Sequence, residues 1–177
     1  TSTFTQWSGN ALMIVIPMAG NSSRFFDAGY SLPKYKLPIG SRSLFESCIT
    51  PFFLTYSEER FIFVVRKDFK DQAWILSEIK KIGIKNFELK VVPTITSGQA
   101  TTVYLGIEDE DPDDPLVIFN IDTILKISAF EKVDFECDGF LQTFQAPGEN
   151  WSFIGVNKFN KINAVSEKRR ISDYCST

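Results

Sequence analysis

A chain of 177 residues with 44% hydrophobic content and net charge −3 is long enough to bury one real core, and it lacks the global basic field of a non-specific nucleic-acid binder. It contains no histidine, which excludes Ser-His-Asp triads, Cys-His pairs and His-ligated zinc within these residues. Its cysteines, Cys48, Cys137 and Cys175, are far apart and odd in number, and read as reduced thiols of a cytoplasmic protein rather than a disulfide framework.

Residues 1–12 read as a leader or added extension, polar and without pattern over Thr1 to Asn10, with Met13 placed as an original start. They lack the basic leader of a secretory signal. The longest apolar run, Ala11 to Ala19, is too short for a bilayer and contains Pro17. One domain is expected over 13–177. Met13 to Met18 is predicted as a buried strand. Ser43-Leu44-Phe45-Glu46 has capping-box spacing and opens a helix to about Phe53. Arg60 to Val65 is the second strand. A helix follows from Asp68, with a stripe of Phe69, Ala73, Leu76, Ile79 and Ile82, and Gly83 ends it. Phe87 to Val92 is the third strand, Thr96-Ser97 caps a helix to about Ile107, and Leu116 to Asn120 is the fourth strand.

That alternation predicts a layered α/β fold with a mostly parallel sheet. After Asp122 the pattern changes to short strands of antiparallel character at Gly139–Phe144, Ser152–Val156 and Ile162–Val165. Turns are expected at Pro147-Gly148 and over Asn157 to Lys161. The acidic run Glu108 to Asp114 reads as a solvated loop, held extended by its prolines.

Five segments carry chemistry. Ala19-Gly20-Asn21-Ser22-Ser23-Arg24 follows the first strand with small residues, so its amides are free to form an anion nest, and Arg24 adds a forked cation. It matches neither the P-loop nor the dinucleotide fingerprint. Lys34 lies between Pro33 and Pro38, which give its ammonium a set direction; Lys36 reads as a solvated loop lysine. Gly98 and Gln99 open a helix, with a flat approach for a ring and an amide that reads a base edge. Asp122 stands at the carboxyl end of a strand, where a lone carboxylate suits Mg²⁺ when phosphates supply the other oxygens. Ser166 to Asp173 concentrates three cations after a short strand.

In order, these pieces are MAG-x-x-S-R-F, L-P-K, S-G-Q-A, N-x-D, W-S-F and E-K-R-R-I-S-D. The sequence from Met13 onward resembles the nucleotidyltransferases that include the sugar-1-phosphate nucleotidylyltransferases, a family frequent in capsule and lipopolysaccharide pathways. The resemblance implies a three-layer, Rossmann-like (GT-A-like) fold with a mixed, mostly parallel sheet. It implies transfer of a nucleoside monophosphate from an NTP to a small phosphorylated acceptor, with release of pyrophosphate. Ala19, Gly20, Asn21, Ser22 and Arg24 would cradle the triphosphate, and Lys34 would sit near the α-phosphate. Gly98 and Gln99 would contact the base, and Asp122 would bind Mg²⁺. Trp151, Glu167 and Lys168 would meet the acceptor. The implied partners are an NTP and the acceptor, with neither nucleic acid nor membrane; relatives also self-associate. Family members continue past the last residues here to another strand and a second metal ligand, so a C-terminal truncation is expected. The rival readings are a GT-A-type glycosyltransferase, which normally carries D-x-D where this chain has Asn120 and Asp122, and a non-catalytic nucleotide-binding fragment.

Overall fold

The computed structural model describes residues 12–126 and 138–176. Cys137 and all of the expected leader except Leu12 lie outside them. The chain forms two compact units, one up to residue 131 and one from residue 132.

The first unit is built on β1 (Met13–Pro17), β4 (Arg60–Arg66), β5 (Phe87–Val92) and β6 (Leu116–Ile118), in the order β5-β4-β1-β6 with every pairing parallel. The strands are apolar at successive positions because both faces are covered. The register sets Ile14 beside Phe61 and Ile16 beside Phe63 on one face, and Val15 beside Ile62 on the other. Helix α2 (Leu44–Thr55) covers the first face, its Phe45 ring 5.6 Å from Phe63 and its Phe52 ring 6.4 Å from Phe61. Helix α3 (Gln72–Ile82) packs beside α2, with Trp74 edge-on to Phe45. Helix α4 (Gln99–Ile107) covers the second face, where Val103 joins Met13, Val15, Ile62 and Val64 in one buried cluster. Helices, sheet and helix make the three expected layers.

Ser43 caps α2 as expected, its Oγ accepting from the Glu46 amide at 3.1 Å, while the Glu46 carboxylate pairs with Lys81 and Arg42. Gly83 ends α3 at φ 95, a left-handed cap that glycine adopts without strain. Three boundaries differ from expectation. Helix α3 starts at Gln72, not Asp68, because Lys70 turns left-handed at φ 53 and its amide bonds back to Lys67. Its buried residues are Ile75 and Ile79: Ile79 faces the core as expected, whereas Ala73 and Leu76 are exposed and Ile75 takes the inward place. Helix α4 is capped by Gly98, since the Thr96 and Ser97 hydroxyls pair with those of Thr102 and Thr101 instead of with amides. Strand β6 ends at Ile118, two residues short of Asn120. Elements of two to five residues were not predicted: α1 (Ser23–Asp27), a 3₁₀ turn (Lys34–Lys36), and the hairpin of β2 (Pro38–Ile39) with β3 (Arg42–Ser43). Such pieces are too short to show a period.

The second unit holds an antiparallel sheet ordered β8-β7-β9, from β7 (Ser152–Val156), β8 (Ile162–Glu167) and β9 (Cys175–Ser176). The turn between β7 and β8 is made by Asn157, whose Oδ1 accepts from the amides of Phe159 and Lys161. Gly139–Phe144 is not a strand; its one ladder contact is Phe144 with Cys175, and Phe140 and Leu141 are exposed. The acidic run is a loop, largely exposed, apart from Glu110, which pairs with Arg60 at 2.7 Å. No group of three metal-ligating side chains occurs among the described residues, and no described helix is long and apolar enough to cross a membrane.

Candidate nucleotide site

A cavity of about 500 Å³ opens at the carboxyl ends of β1 and β6. Of the predicted residues in the first unit, it gathers Gly20, Asn21, Ser22, Arg24, Lys34, Gly98, Gln99 and Asp122. Ala19 is the exception. It is fully buried among Met13, Val15 and Val64, so its side chain belongs to the core and not to the lining.

The loop after β1 has the properties of an anion cradle. Ser22 adopts φ 51, a left-handed turn for a non-glycine residue, and this lifts the following residues into α1. Among the described residues, no acceptor takes the amides of Gly20 to Arg24. A Cβ built on Gly20 would meet nothing within 4 Å, so it would project into open space where a ligand approaches. Arg24 lines the cavity and is exposed, and its side chain bonds to no described residue, which leaves the guanidinium available. Asn21 is fixed from behind: its Oδ1 accepts from Arg66 Nη1 at 3.0 Å.

Lys34 lines the same cavity. Its Nζ donates to Asp122 Oδ2 at 2.5 Å, and its own amide lies 3.4 Å from Ser22 Oγ. Ammonium and carboxylate are both partly solvated, 28% and 44% exposed, so neither is locked away from an incoming ligand. Asp122 is the one carboxylate in the cavity lining among the described residues. Beneath this pair lies Cys48, fully buried, its thiol pushed up to about 12 by loss of solvent and then by the charge of Asp122, with Lys34 opposing. The thiol therefore stays neutral and takes no part in nucleophilic chemistry.

Lys36 is not a solvated loop lysine. It points away from Lys34 and bonds to Asp71, with its ammonium 5.2 Å from the Trp74 ring centroid. Between the two lysines Tyr35 is buried and donates to the other Asp71 oxygen at 2.8 Å. Burial first, then the hydrogen bond to Asp71, raises the Tyr35 pKa far above the usual phenol range, so it remains a donor.

At the far side of the cavity Gln99 Nε2 donates to Asn120 Oδ1. The amide proposed for the base is thereby oriented by the strand-end asparagine of the N-x-D piece. Thr102 is buried there and donates to Gly98 O at 3.1 Å, holding the helix start. Residues that sequence reasoning missed are Arg66, Asp71, Tyr35, Asn120 and Thr102. The one signal available was a charged residue, Arg66, at the end of an otherwise apolar strand.

In the second unit, Trp151, Glu167 and Lys168 come together at one end of the β7–β8 hairpin. Ser152 pairs in register with Glu167, and its hydroxyl donates to the Glu167 carboxylate. Lys168 turns left-handed at φ 54, donates its amide to Trp151 O at 3.0 Å, and sets its ammonium 3.7 Å from Glu167. The Trp151 ring stands edge-on to Phe144 and its Nε1 donates to Pro147 O, contacts that anchor it within this unit. Both Glu167 and Lys168 present most of their side chains to solvent.

No protein-family model matches the chain, and no curated protein matches its sequence. Solved structures do. The nucleoside-diphosphate-sugar pyrophosphorylase from Vibrio cholerae RC9 is 39% identical, with a TM-score of 0.83 over 93% of this chain and 70% of that one. The inositol-1-phosphate CTP transferase from T. maritima shares the fold at 18% identity and TM-score 0.68, over 94% of this chain and 68% of its own. A putative glucose-1-phosphate thymidylyltransferase from Bacillus anthracis does so at 18% and 0.75, over 94% and 69%. The identity to the Vibrio protein, spread over nearly the whole chain, joins a fold and a cavity that had already pointed the same way: the chain belongs to the sugar-phosphate nucleotidyltransferases.

Proposed function

We propose that the cavity binds an NTP and that the chain transfers its nucleoside monophosphate to a phosphorylated acceptor, with release of pyrophosphate. The observation that carries this reading is the meeting of Lys34 and Asp122 at 2.5 Å, in a cavity also walled by a loop of unpaired amides.

The free amides of Gly20 to Arg24 bind the β- and γ-phosphates, and Arg24 closes on them from its exposed position. Gln99, oriented by Asn120, reads the base edge, and Gly98 leaves room for the ring. Lys34 exchanges its bond to Asp122 for the α-phosphate. The acceptor is a phosphate monoester, already anionic near neutral pH, so it needs no general base, and the chain has no histidine to supply one. An acceptor oxygen forms a bond to the α-phosphorus in line as the bond to the bridging oxygen breaks, and pyrophosphate leaves with that electron pair. The protein's work is alignment and charge compensation.

Asp122 fits a divalent metal of the magnesium type. It is a hard oxygen donor, alone in the lining, and magnesium takes one or two carboxylates together with nucleotide oxygens. When bound, the ion would offset phosphate charge. For the acceptor, Lys168 is the proposed contact to its phosphate, with Glu167 and Trp151 beside it. The product is a nucleotide-activated sugar or similar block, of the class that capsule and lipopolysaccharide assembly consumes. Two buried free thiols, Cys48 and Cys175, fit synthesis in a reducing cytoplasm.

A panel of the common NTPs against hexose-1-phosphates, phosphocholine and phosphoglutamine, read by pyrophosphate release, tests this. Release that depends on both partners is expected. Free nucleoside diphosphate from a sugar nucleotide would instead indicate a glycosyltransferase. Calorimetric NTP binding without any pyrophosphate would leave a non-catalytic binder.

A further inference from the structure

We infer that the segment Arg66–Asp71, which does not line the cavity, is a positioning brace that holds both reactive walls of the site in place. The inference rests on the nucleotide reading above and adds residues that it does not require.

Arg66 ends β4 and is 8% exposed, an unusual place for a guanidinium. It is held on three sides. Asp68 Oδ1 accepts from Nε at 2.9 Å and Oδ2 from Nη2, while the Phe69 ring lies 4.2 Å away. Its remaining Nη1 donates to Asn21, across 45 positions of sequence, in the loop with unpaired amides. A lysine has three donors on one nitrogen and no planar fork, so it cannot reproduce the bidentate bond to Asp68 together with the bond to Asn21.

Asp71 sits at the N-cap of α3, where an aspartate normally accepts from a helix amide, yet its side chain makes no cap bond. Its two oxygens instead hold Tyr35 and Lys36, the two residues following Lys34. The side chain departs from its local role and serves the turn that aims the catalytic lysine. The backbone between Arg66 and Asp71 is itself pinned, with the Lys67 amide donating to Val92 and that of Lys70 to Lys67. One short segment therefore fixes Asn21 through Arg66 and Lys34 through Asp71.

Steady-state kinetics with paired substitutions tests this. Arg66→Lys should raise KM for the NTP about tenfold with a smaller change in kcat; Asp71→Asn should lower kcat about tenfold with NTP affinity nearly unchanged. In an Asn21→Ala background the Arg66→Lys effect on KM should vanish, and in a Lys34→Ala background the Asp71→Asn effect on kcat should vanish, because each acts through one partner. Tyr35→Phe removes one donor to Asp71 while keeping the buried ring, and should reproduce part of the kcat loss if Asp71→Asn proves too unstable to assay. Losses that add fully in the double variants, or a lowered Tm with unchanged kinetics, would overturn the brace. If Asn21→Ala and Lys34→Ala themselves leave turnover unchanged, the nucleotide reading has failed instead.

Discussion

Lys34 and Asp122 were legible as residues because each has a local reason to be fixed. Pro33 restrains the approach to Lys34, and Asp122 follows an apolar strand end. The family resemblance brought both to one triphosphate, whereas composition and periodicity alone gave no sign of their direct contact across 88 positions. Nor did they show what holds Asn21 or Lys36, whose partners Arg66 and Asp71 are 45 and 35 positions away. Side-chain pairs at that range depend on strand order, which composition and periodicity do not encode. The burial of the Ala19 methyl was not legible, because a small residue after a strand reads as loop, whereas here its side chain completes the core. Asp122→Asn keeps the shape and removes the charge, so it should shift the magnesium requirement for turnover to higher concentration by about tenfold or more. A magnesium titration superimposable on the wild type would remove Asp122 from the site.

Among elements, long periodic segments were read well and their starts poorly. Strands β1, β4 and β5 and helix α2 lie where apolar runs and the capping box put them. The start of α3 moved because Lys70 turns left-handed and breaks the run from Asp68, and that of α4 because Thr96 and Ser97, both good capping types, pair with other hydroxyls instead of amides. Helix α4 is seated by Gly106, where an added Cβ would lie 2.5 Å from Val64 Cγ2 in the packed core. Val64 is fully buried and stiff at its branched carbon, so it cannot swing aside. Gly106→Ala should destabilise the protein by about 1–3 kcal/mol, and because α4 carries Gly98 and Gln99 it should also weaken nucleotide binding. Urea unfolding and nucleotide calorimetry check the two effects; unchanged stability would show that α4 is free to shift.

At the level of the whole molecule, stability carries a signature of the buried acids under the site. Cys48 has an ordinary value of 9.0 and is raised to about 12 in the fold, and Tyr35 is raised as well. Both groups are neutral when protonated, and the unfolded chain loses these protons at lower pH than the folded one. The folded state therefore binds more protons across that window, and stability falls as pH rises from about 9 toward 12. In Cys48→Ala the slope over this range should be shallower, as measured by Tm against pH; an identical slope would mean that Cys48 ionises in the fold as readily as outside it.

The account as a whole depends on Lys34 answering charge that builds on the α-phosphate during transfer, rather than simply helping the NTP to bind. The decisive measurement is the single-turnover rate of pyrophosphate release for Lys34→Ala, set beside its NTP dissociation constant. The expected result is a rate loss of about a hundredfold or more with a change in affinity of only a few-fold. Equal losses in rate and affinity, or no loss in rate, would contradict it.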